Sequence, residues 1–250
     1  MSFSPAEVER YARHLVLREI GGPGQQKLKA ARVLVVGAGG LGAPAALYLA
    51  AAGVGTLGLV DPDTVSLSNL QRQVLFATGD IGRSKVEAAA EHLNALNPHI
   101  AVENHPVWLN QANAEALVSR YDLVLDGTDD FASRFAVSDA CLATGKPLVS
   151  GALGRWTGQV GVFDGQPCYR CLVPETPPDA ETCARVGVVG ALAGVIGAMM
   201  ALEAVKVITG AGDPLSGRLL IYDALAAETR TVRIGADPEC TSCAGEPATA

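Results

Sequence analysis

"ARVLVVGAGGLGAPAALYLAAAGVG", Ala31–Gly55, sets the fold. It opens with a short apolar run that reads as a strand. A glycine turn follows, then an Ala-rich stretch at helical spacing, and Gly53 stands where a left-handed residue would stop that helix. Gly37, Gly39 and Gly42 give GxGxxG spacing, with Gly40 inside it, between a strand and a helix. That context lets phosphate oxygens approach the backbone, and the helix N-terminus adds donors and partial positive charge. The next run, "TLGLVD", ends on Asp61 at the distance where an acid reads ribose hydroxyls. Alone, this much says only adenine nucleotide, with NAD as the default.

Strand and helix signals continue to alternate. "SKVEAAAEHLNALNP" reads as a helix from a Ser84 cap to a stop before Pro98. "YDLVLDGTDD" is a strand with a polar exit, "FASRFAVSDACLATG" a helix and "KPLVSGAL" a strand. Such alternation predicts a parallel sheet covered on both faces. Past Gly154, "GQVGVFDG" and "GRLLIYDALAAETRTVRI" read as hairpin strands. The expected fold is therefore α/β: a Rossmann-like mixed sheet, parallel at first and antiparallel toward the C-terminus. No Pro/Gly/Ser-rich linker divides the chain, so residues 1–250 are expected to form one domain, with a nucleotide-binding half at 31–153 and a second half at 154–250. Ahead of both, Ser4, Pro5 and Glu7 make a capping box for a helix within residues 1–20, with Val8, Tyr11 and Leu15 on one face and Arg10 and Arg13 on another.

Of 250 residues, 49% are apolar and 18% charged, the balance of a soluble globular chain with a sizeable core. A net charge of −7 without a basic run argues against nucleic-acid partners. The start of the chain is charged and lacks an apolar stretch, so no signal peptide and a cytoplasmic location are expected. "VGVVGALAGVIGAMMAL", Val186–Leu202, has 17 uncharged residues, short of the roughly 20 a bilayer needs. Its glycines at 187, 190, 194 and 197 share a helical face suited to close backbone approach. A buried helix is expected, and no membrane partner.

The stretch after Asp61, "DPDTVSLSNLQRQVLF", is over-supplied with polar groups for a dinucleotide holder. Nicotinamide does its own chemistry and needs no cations near the phosphates. Attack on the α-phosphorus of ATP does need them, because charge builds on its oxygens and on departing pyrophosphate. Arg72 and Lys85 are placed to stabilise that charge, and Asn69 and Gln73 to orient phosphates or metal-bound water. In "DGTDDFASR", Asp126, Asp129 and Asp130 lie at or beyond a strand's C-terminal end, where open α/β sheets bind ligands. Stacked acids there call for a cation such as Mg²⁺. The alternative is helix capping by Asp129 or Asp130 ahead of Phe131, and both roles can hold on different acids.

There are six cysteines. Cys168/Cys171 and Cys240/Cys243 form two C-x-x-C pairs, the four thiolates of a tetrahedral zinc site that clips the C-terminus to mid-chain. A reducing compartment favours zinc over disulfides. Cys141, within an apolar helix, reads as core. Cys183, in "ETCARVG", reads equally as a reactive thiol beside Arg185 or as a surface cysteine.

Together, "RYARHLVL", the glycine-loop stretch, "DPDTVSLSNLQRQVLF", "GRSKVEAA", "YDLVLDGTDDFASRF", "PLVSGAL", "PCYRCLVPE", "TCARVGVVG" and "CTSC" resemble the MoeB/ThiF family, bacterial relatives of ubiquitin-activating enzymes. The likeness runs in order over essentially the whole chain. It implies ATP and Mg²⁺ as reactants, Zn²⁺ as a structural metal, and adenylation of the C-terminal Gly-Gly tail of a ubiquitin-like sulfur-carrier protein with release of pyrophosphate. The product would serve molybdopterin or thiamine synthesis, with a sulfurtransferase or cysteine desulfurase as a further partner. It implies an ATP site of Gly37, Gly39, Gly40 and Gly42, of Asp61 and Asp63, and of Ser68, Asn69, Leu70, Gln71, Arg72 and Gln73, completed by Lys85, Asp129 and Asp130. Asp129 would hold Mg²⁺. Arg72, Lys85 and Asp129 would carry catalysis, with Arg13 lent to the partner's site across a homodimer interface formed by residues 1–20. Residues 154–250 would bind the carrier and zinc. Cys183 aligns with a cysteine that some relatives link covalently to the carrier. No rhodanese domain is expected after "CTSC". One departure stands out: Asp130 occupies a position where the family has Asn.

Three other classes fit parts of the sequence. An NAD- or FAD-dependent oxidoreductase accounts for the glycine loop and Asp61 but not for Arg72, Lys85 or the cysteine pairs. A silent zinc scaffold that only binds the carrier has no use for Arg13, Arg72, Lys85 and Asp129. A relative that adenylates a carboxylate on modified tRNA fits the chemistry, and the net charge of −7 counts against it.

Overall fold

Val33–Val36 are all buried, as the central strand of a sheet covered on both faces must be. They belong to β1 (Arg32–Val36), which lies between β2 (Thr56–Val60) and β4 (Leu123–Asp126) and is parallel to both. The computed structural model describes residues 2–178 and 187–244. Within them, β3 (Ala101–His105) extends the parallel set beyond β2, and β5 (Leu148–Leu153) extends it beyond β4. Then β6 (Thr157–Phe163), β7 (Arg218–Asp223) and β8 (Glu228–Arg233) continue the same sheet antiparallel. The order β3-β2-β1-β4-β5-β6-β7-β8 is the mixed sheet the sequence predicts. Every residue of β8 is exposed, and its glutamate and arginines give the edge a charged finish.

The chain leaves β1 for β2 on one side and returns to β4 on the other. This reversal opens a crevice beyond the carboxyl ends of β1 and β4. One face of the sheet carries α3 (Gly21–Ala30), α4 (Gly42–Ala52), α5 (Lys85–Leu96) and α9 (Gly190–Thr209). The other carries α6 (Ala114–Val118) and α7 (Phe131–Thr144), with α8 (Tyr169–Leu172) against α7. Cys141, buried in α7, is core as expected.

The local readings hold in most places. Ser4 and Glu7 form the capping box of α1 (Pro5–Arg10), and Gly53 ends α4 in the left-handed conformation. Ser84 stands at the N-cap of α5, yet its side chain makes no capping bond. The first helix is also broken: Tyr11 interrupts it before α2 (Ala12–Leu15), and Arg10 donates to the Leu96 carbonyl. The apolar helix α9 begins at Gly190, four positions beyond the expected start at Val186. It buries Leu192, Ile196 and Met200 in the core, while Leu202 stays exposed. Its glycine face works at two points. A Cβ on Gly190 would lie 2.3 Å from the Gln71 carbonyl oxygen, and one on Gly197 2.5 Å from that of Leu41. Gly194 faces open space.

Candidate active site and candidate metal centre

The crevice is a cleft of about 480 Å³. Gly37, Gly39, Gly40, Asp61, Asp63, Asn69, Arg72, Gln73, Lys85, Asp129 and Asp130 all line it, so the structure gathers most of the residues the sequence singled out. Gly37 has φ +86°, a conformation that favours glycine. Gly42 does not line the cleft: a Cβ there would sit 1.8 Å from the Gly37 carbonyl oxygen, so it lets the loop fold onto its helix. Asp61 braces the loop from the next strand, accepting from the Ala38 N–H at 2.9 Å and from the Asp63 N–H at 3.0 Å. Lys85 extends between these acids, 2.8 Å from Asp63 Oδ2 and 3.5 Å from both Asp61 oxygens.

The loop that follows β2 is held by its own polar groups. Asn69 accepts from the Ser66 N–H, and Arg72 donates to the Ser68 carbonyl at 3.2 Å while its methylene stem passes beside Gly40. Ser68, Leu70 and Gln71 do not line the cleft. Ser68 bonds Ser66, Leu70 packs on the core, and Gln71 donates to the Val188 carbonyl at 3.1 Å. Gln73 is buried, and among the described residues its Oε1 is the one buried side-chain polar atom without a partner. A buried acceptor left bare is costly, and this one is on the cleft wall.

The three acids beyond β4 separate into different tasks. Asp126 is 1% exposed and committed: Thr128 donates to it twice, Ser150 donates at 3.1 Å, and Arg134 lies 3.7 Å away. Asp130 caps α7, accepting from the Ser133 N–H at 2.8 Å. Asn caps as well as Asp does, so Asp130 in place of the Asn expected from the resemblance preserves this role. Asp129 is exposed at the cleft, and among the described residues no hydrogen bond or ion pair engages its carboxylate.

Sequence reading passed over Arg134. It is buried, donates to the Gly151 carbonyl at 2.9 Å and to the Thr128 carbonyl, and lines the cleft. Burial acts to depress its pKa, and the Asp126 carboxylate overrides that and raises it. The signal available was its fixed offset from the acids in "DDFASR". Arg13 is exposed on α2 and is absent from the lining of its own chain's cleft. Cys183 lies outside the described residues.

The second site is separate. The Sγ atoms of Cys168, Cys171, Cys240 and Cys243 all lie within 4.8 Å of one another. Cys168–Cys240 and Cys171–Cys243 are 3.6 and 3.4 Å apart. Those gaps are far longer than a disulfide bond and close to the edge of about 3.8 Å of a tetrahedron with Zn–S bonds near 2.3 Å. The donor set therefore fits Zn²⁺. Burial pushes the Cys168 thiol up. At Cys240 burial also pushes upward, but backbone N–H groups of Ser242 and Cys243 outweigh it and bring the thiol down to about 7. Arg170 holds Asp139 of α7 through two bonds of 2.9 and 2.8 Å, and Ser242 donates to the same carboxylate, so both knuckles are anchored to the body of the fold.

Known proteins resemble this chain along nearly all of its length. The model of the ThiF family matches residues 11–242. The "Sulfur carrier protein adenylyltransferase" of Thermus thermophilus is 47% identical, with 99% of this chain and 94% of that protein covered. The "Probable adenylyltransferase/sulfurtransferase MoeZ" of Mycobacterium tuberculosis is 51% identical over 95% of this chain, which spans 62% of its length. Among solved structures, Escherichia coli MccB with AMPCPP and MccA superposes with a TM-score of 0.82 at 25% identity, covering 94% of this chain and 74% of that one. With its glycine loop, its cleft and three of its four clustered cysteines inside the matched residues, the chain belongs to the ThiF family.

Proposed function

We propose that this protein adenylates the C-terminal glycine carboxylate of a ubiquitin-like sulfur-carrier protein, using ATP and releasing pyrophosphate. The observation that carries the reading is that one cleft brings together the glycine loop, Arg72, Lys85 and Asp129. The names of the Thermus and Mycobacterium relatives point to the same chemistry.

A carrier's terminal carboxylate is already ionised near neutral pH, so no side chain need act as a general base. One carboxylate oxygen attacks the α-phosphorus, the α–β P–O bond breaks, and pyrophosphate leaves with the electron pair. The acyl adenylate that remains is open to a sulfur donor, a sulfurtransferase or cysteine desulfurase. Arg72 and Lys85 neutralise charge on the α-phosphate and on the leaving group, and backbone N–H groups of the glycine loop orient the phosphates. Asp61 holds the ribose. Mg²⁺ supplies further charge neutralisation when bound, and Asp129, the uncommitted acid, would hold it, since Mg²⁺ commonly takes one or two carboxylates with substrate phosphates. Zn²⁺ on the four cysteines is structural.

The same reading makes the protein a cytoplasmic homodimer in which Arg13 reaches the partner's cleft. Support comes from its exposure and from its absence from the lining of its own chain's cleft. The pathway served is that of molybdopterin or thiamine. A covalent link between Cys183 and the carrier rests on sequence alone.

ATP–pyrophosphate exchange tests the function. Zinc-loaded protein is mixed with Mg-ATP and carriers ending in Gly-Gly, each beside a version lacking the last Gly. Exchange is expected only with an intact tail. No exchange with any carrier overturns the proposal.

A further inference from the structure

The cleft has a part that neither the glycine loop nor the cations use. Beyond Asp61 its wall is apolar: Val60, Pro62, Val107, Trp108 and Leu109. Trp108 is 56% exposed, a large ring left open to water in a chain with only two tryptophans. The main chain that carries it is held in place. The Asn113 and Asn110 amides donate to its carbonyl at 3.0 and 3.4 Å, Asn113 accepts from the Asn110 N–H at 2.9 Å, and Val107 N–H closes a tight turn onto the His105 carbonyl.

The order of the strands gives this wall its meaning. The glycine loop follows β1, Asp61 follows β2, and Trp108 follows β3, and these three strands are adjacent and parallel. Neighbouring strands are spaced by about 4.8 Å, so the wall after β3 lies about 10 Å across the sheet from the loop after β1. A nucleotide laid along that line has phosphates over β1, ribose over β2 and its base over β3. We propose that Trp108 is the base-stacking residue of the nucleotide site and that the Val107–Leu109 turn confers the requirement for a base. This inference rests on the ATP reading of the cleft. Trp108 is a positioning residue: its ring binds the base, remote from the bond that breaks.

A Trp156→Phe variant makes Trp108 the sole indole. Two titrants are used, Mg-ATP and Mg-tripolyphosphate, which carries the phosphates without sugar or base. Binding of labelled ATP is measured independently by equilibrium dialysis. The expected result is a change in Trp108 emission that saturates with the dialysis Kd for ATP. Tripolyphosphate is expected to compete for the site without that emission change. Trp108→Ala should weaken ATP by roughly 5- to 150-fold, the range for loss of one aromatic–base stack. It should leave tripolyphosphate affinity unchanged, and Trp108→Phe should restore most of the ATP affinity. ATP binding by dialysis with silent Trp108 emission and an unaffected Trp108→Ala variant overturns the base platform while leaving the nucleotide site standing. No ATP binding to the intact protein overturns both.

Discussion

The Lys85 ammonium lies 2.8 Å from the Asp63 carboxylate and is shared with Asp61, whose oxygens are 3.5 Å away. Lys85 and Asp61 are both buried, so each depends on the other for charge balance. The cation proposed to neutralise phosphates is thereby held on the acid proposed to read ribose. Lys85→Ala is expected to lower exchange at least about 100-fold, as loss of a charge-stabilising donor does. It should also lower Tm, because Asp61 and Asp63 then face one another uncompensated. Exchange within about tenfold of the native rate argues against Lys85 as a catalytic cation.

The neighbours Asp129 and Asp130 should behave as different residues. Asp129→Ala is expected to abolish exchange with Tm unchanged to within about 2 °C. Asp130→Ala loses the cap of α7, at a cost of about 1 kcal/mol. Asp130→Asn keeps the cap, and with it native stability and most of the activity. Thermal melts and exchange on the three variants check the division; an inactive Asp130→Asn would give that carboxylate a role at the phosphates.

Cys240→Ser should reduce bound zinc from one per chain to near zero, read by elemental analysis. Structural zinc binding is folding free energy, so the variant should also melt earlier and be cut faster by protease near residues 234–244. Unchanged zinc content would remove the four-thiolate assignment.

The Glu7 carboxyl is pulled down to about 2 by its bond to Lys29, with help from the Ser4 backbone N–H, against the upward push of burial. Lys29 Nζ is 2.6 Å from it. Because the folded value is depressed, the stabilisation is present above about 4.5 and fades as pH falls toward about 2. Glu7→Gln should therefore lower Tm at pH 7, and the gap to the native protein should narrow by pH 3. A gap that is constant with pH would mean that the charge contributes nothing.

Much of the fold was legible because its signals are local. Alternating apolar runs, the glycine spacing and the stop at Gly53 need no tertiary knowledge. The helix α3, "GGPGQQKLKA", was invisible for the opposite reason. Its glycines and proline argue against a helix, and tertiary bonds hold it instead: Gln25 to the Ala52 carbonyl at 2.8 Å and Lys27 to the Thr209 carbonyl at 2.7 Å. The edge strand β3, "AVENH", lacks an apolar run because it is half-exposed. With β3 unread, the Trp108 wall beyond it had no place in the site. Motif spacing gathered Asp126, Asp129 and Asp130 but could not assign them. Ser150, from the next strand, and Arg134 had to be in position before Asp126 was seen to be spoken for. Gly190 and Gly197 meet backbone where Gly194 meets nothing, a distinction that helical period alone does not make.

The seating of α9 on the glycine loop has a bearing on how the chain is born. Residues up to Leu153 leave the ribosome first, and they already contain the loop, Lys85 and Asp129. At that moment the edge of β5 has no neighbour, and the faces of Leu41 and Pro44 that Gly197 will cover are bare. The nascent nucleotide half is thus a sheet with an open edge and an uncovered apolar flank, the kind of surface that chaperones bind and that aggregates at high expression. Only when synthesis has passed Thr209 can the helix dock and the crevice acquire its finished wall.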